Sequence, residues 1–179
     1  MLENNAYNNF IKNFSDTICS LTENKVYSNV IFLCIGTDKI IGDSFGPIVG
    51  YRLKKMYSNI KNIEIIGDLN NIVCDTNIVK TIDAINRAYK KPFIIAIDAA
   101  LSSNENIGKI IVDNKGIILG SGVGKNRVQI GNMSIKGVVA ENFKDARFNL
   151  RLLANTKLGF VLELADLVSN GIYASIECR

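Results

Sequence analysis

Phe32-Leu-Cys-Ile-Gly-Thr-Asp-Lys-Ile-Ile-Gly-Asp-Ser-Phe-Gly-Pro47 passes from an apolar run through a glycine-punctuated loop into the start of a helix. Val30 to Ile35 is continuous and β-branched, which reads as a buried strand. Ser44 to Tyr57 carries Ile48, Val49, Leu53 and Met56 on one stripe and Arg52, Lys54 and Lys55 on the other side, which reads as an amphipathic helix. Pro47 fits its first turn, where no amide donor is required. Between strand and helix stand two carboxylates, Asp38 and Asp43. Acidic residues in a loop held by rigid elements point to a functional site.

The same alternation continues outward. Ile63 to Ile66 reads as a second strand and Thr76 to Ala88 as a helix with Ile78, Val79, Ile82 and Ile85 inward. Pro92 is expected to close that helix, and Phe93 to Ile97 to form a third strand ending at Asp98. Strand–helix–strand–helix–strand predicts a mostly parallel sheet covered on both faces, a single-domain three-layer α/β/α sandwich. Ile107 to Val112 and Gly116 to Leu119 read as short strands, and Ile135 to Ala140 as another. Phe143 to Ser169 reads as mostly helical, with Gly171 placed to stop it. Upstream, Phe10, Ile11, Phe14, Ile18 and Leu21 recur at helical spacing. The chain therefore divides into an N-terminal helical extension, 1–27, and a core, 28–172, within one domain spanning 1–179.

Composition narrows the chemistry. An apolar fraction of 47% over 179 residues is enough to build a core. No apolar run approaches the ~18 residues of a membrane span, and the first residues lack a secretory pattern, so a cytoplasmic protein with no membrane partner is expected. The net charge of +4 comes from scattered Lys and Arg, so no nucleic-acid partner is expected. Cys19, Cys34, Cys74 and Cys178 form no C-x-x-C pair. Cys34 reads as a small core hydrophobe. The chain has no histidine. Serine triads and thiol–imidazole pairs are thereby excluded, and neither a cofactor nor a nickel or zinc site is expected. Gly120-Ser-Gly-Val-Gly-Lys125 misses the phosphate-loop spacing and reads as a loop at the rim of a cleft.

Ligand clefts of open α/β sheets lie beyond the carboxyl ends of the strands. Asp43 follows the first strand and Asp98 ends the third, so parallel neighbours bring both to one edge. Two carboxylates facing one space share a proton, one acting as base toward water and the other as acid. Asp43, beside a helix N-terminus, is the more readily ionised. The alternatives are an N-cap or turn role for Asp43 and backbone satisfaction by Asp98. Gly36, Thr37, Asp38, Gly42 and Ser44 are placed to contact substrate, as are Asn155 and Thr156, unless Thr156 caps a second helical segment. Amides of the glycine loops are expected to hold an oxyanion.

Four segments in order carry a family resemblance: Ile35 to Pro47, Gly67-Asp-Leu-Asn-Asn-Ile-Val-Cys-Asp-Thr-Asn77, Ile97-Asp-Ala-Ala-Leu101 and Leu153-Ala-Asn-Thr-Lys-Leu-Gly159. Over residues 30–172 the chain resembles the YyaC-type sporulation proteins. That family is similar to the spore germination protease and, more distantly, to hydrogenase maturation peptidases. The resemblance implies a phosphorylase/hydrolase-like fold and a catalytic aspartate pair at Asp43 and Asp98. It further implies endopeptidase action on small acid-soluble spore proteins, in the forespore or mother cell. Cys74 stands where the relatives suggest histidine, and Ala100 where they suggest cysteine. A non-catalytic regulatory module on the same fold and a metal-dependent maturation-type peptidase are the other readings. A homo-oligomer is left open.

Overall fold

A computed structural model of the chain describes residues 2–57, 61–118 and 129–177. Five strands form the central sheet in the order β2-β1-β3-β7-β4, comprising β1 (Asn29–Cys34), β2 (Ile63–Ile66), β3 (Pro92–Ser102), β4 (Ile110–Asp113) and β7 (Met133–Glu141). β2, β1, β3 and β7 run parallel, and β4 pairs antiparallel with β7. A separate two-stranded sheet joins β5 (Ile117–Ile118) to β6 (Gln129–Ile130).

Side-chain alternation along the strands splits the core into two layers. Phe32, Cys34, Phe93, Ile95, Ile97 and Ile135 face α1 (Leu2–Thr22), α2 (Phe45–Met56) and α5 (Leu158–Glu177). Ile31, Leu33, Ile94 and Ala96 face α3 (Ile78–Ala88) and the small sheet. The helices after β1 and β2 thus lie on opposite faces. β1 stands between β2 and β3, so its carboxyl end is the topological switch point, where open α/β sheets form a crevice.

Several boundaries differ from the sequence reading. Pro92 opens β3 rather than closing a helix; α3 ends at Ala88. β3 does not stop before Asp98 but continues to Ser102, because β7 keeps pairing with it. Phe143 to Ser169 contains two helices, α4 (Ala146–Ala154) and α5, broken at 155–157. Asp145 caps α4 by accepting from the Arg147 and Phe148 amides at 2.8 and 3.3 Å. Gly171 stops nothing: α5 runs through it to Glu177. A Cβ there would lie 2.5 Å from Phe10 Cδ1, so this glycine lets α1 approach α5. Phe10, Phe14 and Ile18 are consequently buried in the main core. Gly120 to Lys125, Leu119 and Cys178 lie outside the described residues.

Candidate active site

Gly36 decides the local path. Ile35 N–H is still in the sheet, donating to Ile97 O at 2.7 Å. Gly36 then adopts φ +139°, and its amide turns away to Val73 O at 2.9 Å. A Cβ at this position would sit 2.0 Å from Asp43 O, so only glycine fits. Thr37 N–H donates to Asp43 O at 3.2 Å, closing the loop on itself. Gly42 to Ser44 form one 3-10 turn leading directly into α2. Ser44 is buried and donates from Oγ to Ile41 O at 2.6 Å, without a side-chain cap on the helix. Asp43 is half-buried in that turn.

Asp98 lies on β3 one residue beyond Ile97, the last partner of β1, with Lys136 of β7 opposite it. Its Oδ1 accepts from the Ala99 amide at 2.9 Å. Burial is the main cause that pushes the Asp98 carboxyl up to about 8. The charge of Asp43 adds to the rise, while the Ala99 amide and Lys136 work against it. The residue is only half-buried, so part of it stays open to solvent. Asp43 is also raised, first by burial, against the Thr37 amide and with the charge of Asp75 adding. Both carboxyls thus resist ionisation, first because of burial, and the Asp43 charge adds to the rise at Asp98.

The remaining residues named from sequence lie on the Asp43 loop and at the end of α4. Asp38 is exposed at the loop tip, and Thr37 Oγ1 accepts from the Lys39 amide at 3.3 Å. Gly42 is buried; a Cβ on it would lie 2.8 Å from Leu153 Cδ2 and 3.0 Å from Leu153 O, so the end of α4 packs on the Asp43 loop. At that end Asn155 Nδ2 donates to Arg151 O at 2.7 Å and Thr156 Oγ1 to Leu152 O at 3.0 Å. These two side chains finish α4. Thr156 also lines an apolar cavity of about 440 Å³ with Val139, Phe148, Leu152 and Phe160. The Gly36 and Thr37 amides, committed to Val73 O and Asp43 O, are not the free oxyanion donors expected from the loop.

Sequence reasoning missed Asp75 and Lys136. Asp75 is exposed, on the loop that Gly36 binds. Lys136 is the one charge inside the apolar run of β7, which was a readable signal; its Nζ stands 3.5 Å from Asp113 Oδ2. Asp68, 3% exposed, orders the second loop by accepting from the Asn70 and Asn71 amides at 2.7 Å each and pairing with Lys54. Lys54 and those amides hold its carboxyl below the usual range even though burial opposes them. Cys34 is fully buried, and burial pushes its thiol well up. Among the described residues no three His, Cys, Asp or Glu side chains converge as a metal cage, and no helix is long and apolar enough to cross a membrane.

Residues 2–171 match the family model described as "Protein of unknown function (DUF1256)". The chain belongs to the DUF1256 family. This DUF1256 chain is 32% identical over 143 residues to the "Uncharacterized protein YyaC" of Bacillus subtilis (strain 168), covering 80% of the chain and 67% of that protein. Its fold is similar to the [NiFe] hydrogenase maturation protease HycI from Thermococcus kodakarensis KOD1, with a TM-score of 0.56 and 16% identity over 89% of this chain and 98% of that one. It is also similar to peptidyl-tRNA hydrolase from Acinetobacter baumannii, with a TM-score of 0.55 and 9% identity over 86% and 89%. At these identities the likeness is one of fold, an α/β architecture with a mostly parallel sheet.

Proposed function

We propose that the DUF1256 chain is a sporulation-associated endopeptidase in which Asp43 and Asp98 activate water for peptide hydrolysis. The observation that carries the reading is the placement of the two carboxyls: Asp43 in the turn that follows β1 and Asp98 on β3 one residue past the last β1 partner, both half-buried and both raised by burial, Asp98 to about 8. Perturbed carboxyls in a crevice at the switch point are what acid–base chemistry near neutral pH requires. The assignment to sporulation rests on the four matching segments and the likeness to a Bacillus subtilis protein.

In this reading ionised Asp43 takes a proton from water as the water oxygen bonds to the peptide carbonyl carbon. Protonated Asp98 donates to the carbonyl oxygen, a role that the Gly36 and Thr37 amides, bound to Val73 O and Asp43 O, do not fill. When the C–N bond breaks, the proton on Asp43 passes to the departing amine nitrogen. One hydroxyl of the tetrahedral centre returns a proton to Asp98, and the pair is restored.

The test is incubation of purified small acid-soluble spore proteins with wild type and Asp43→Asn, read by mass spectrometry from pH 4 to 9. Specific cuts by wild type that disappear in the variant support the reading. Cuts that persist in the variant would remove Asp43 from the chemistry.

A further inference from the structure

The peptidase reading leaves open how a polypeptide reaches the aspartates, and the strand lengths around Asp98 bear on that question. The β1–β3 ladder ends at Cys34 opposite Ile97, whereas the β3–β7 ladder continues to Ser102 opposite Glu141. After Ile35 N–H reaches Ile97 O, the next two amides of that chain turn elsewhere, Gly36 to Val73 O and Thr37 to Asp43 O. From Asp98 to Ser102, β3 therefore has β7 on one side and no strand on the other among the described residues. All five of these residues are half-buried, not sealed in the core. Alternate residues of a parallel strand bond to opposite neighbours, and Ile97 bonds toward β1. The main chains of Ala99 and Leu101 therefore face the vacated side, where the Ala99 amide is already held by Asp98 Oδ1 and the Ala99 carbonyl and the Leu101 main chain form the open edge. Opposite the Ala100–Leu101 step β7 carries an extra residue, Val139, a bulge of the kind that recurs beside active sites.

An open strand edge is a template for another extended chain. This one begins at Asp98, and Ala99 and Ala100 offer small side chains that let a second backbone approach. We infer that the substrate binds as an added β-strand along Asp98–Ser102, continuing the line that β1 abandons at Gly36. The substrate class is then an unfolded or locally extended polypeptide segment, held by its main chain over about 16 Å, the length of five strand residues. Recognition through the main chain makes the pair selective for extended backbone before it is selective for side chains. The inference rests on the peptidase reading, and its occupant is the substrate chain, not a second copy of this protein.

Hydrogen exchange on Asp98→Asn, with Asp43→Asn as a second uncleaving variant, tests it with purified small acid-soluble spore protein as the probe. Wild-type cleavage of the same probe is followed in parallel. The expected result is ~10-fold or greater slowing of exchange at the Leu101 amide on adding the probe. Peptides spanning the observed cut and carrying backbone N-methyl groups at alternate residues should also divide into one set that is cleaved and one that is not. Cleavage by wild type without slowing at the Leu101 amide in either variant overturns the strand inference and leaves the peptidase reading standing. Slowing without cleavage supports the docking edge and removes the peptidase reading. Neither slowing nor cleavage overturns both. Slowing that depends on the protein's own concentration, without probe, assigns the edge to a second copy and also overturns the inference.

Discussion

Replacing Asp98 by asparagine removes a proton equilibrium that folding displaces from the ordinary 3.8 to about 8. The sign follows from which state holds the proton. Between these values the unfolded chain has released it and the folded chain has not, so wild-type stability falls as pH rises from about 4 to 8 and then levels. At about 1.36 kcal/mol per unit, the full shift has a ceiling of roughly 6 kcal/mol. Water in the crevice screens the half-buried carboxyl and brings the expected difference to ~2–4 kcal/mol. Asparagine keeps an oxygen for the Ala99 amide, now accepted by Asp98 Oδ1 at 2.9 Å, and never carries charge. Asp98→Asn should therefore match wild type near pH 4.5 and exceed it by ~2–4 kcal/mol at pH 9. Urea unfolding of both proteins at pH 4.5, 6, 7.5 and 9 measures the difference, and titrating groups away from Asp43 and Asp98 cancel. Stability curves that stay parallel across this range, or a variant weaker than wild type at pH 9, would refute the burial argument.

Other perturbations separate the contributors. Asp43→Asn should lower the upper carboxyl pKa of the pair, because the Asp43 charge is the second cause of its rise. Lys136→Met should raise it and move the alkaline fall of any cleavage activity to higher pH, since Lys136 now favours the ionised form. Gly36→Ala should cost at least ~2 kcal/mol in chemical denaturation, as a Cβ would sit 2.0 Å from Asp43 O at φ +139°. Phe14→Ala, at a side chain 1% exposed between α1 and α5, should cost ~3–5 kcal/mol if the N-terminal helix belongs to the core. A loss below about 1 kcal/mol would make that helix an appendage.

The alternation of strand and helix was readable because each element carries its own period, and the two sheet faces follow from it. What could not be read was where a strand ends when its partner decides. Asp98 looked terminal because Ala99, Ala100 and Ser102 are poor strand formers. β7, more than thirty residues away in sequence, holds them in the ladder. Gly171 looked like a helix stop because its alternative use, admitting Phe10, is a contact between the two ends of the chain. β5 and β6 are two residues each, too short for any period. The placement of the two aspartates at one edge of the sheet was legible because the loop after β1 and the end of the ladder on β3 become neighbours once β3 pairs with β1. Their electrostatic partners were less so, because Asp75 and Lys136 act on them through space from elements that sequence order does not juxtapose.

The decisive measurement is a carbon-13 NMR titration of the aspartate side-chain carboxyls in wild type, Asp43→Asn and Asp98→Asn between pH 3 and 10. A resonance that titrates near pH 8, vanishes in Asp98→Asn and shifts downward in Asp43→Asn is the expected result. If both site carboxyls titrate near 4 and neither responds to loss of the other, the proton-sharing pair does not exist and the proposed hydrolytic mechanism falls with it.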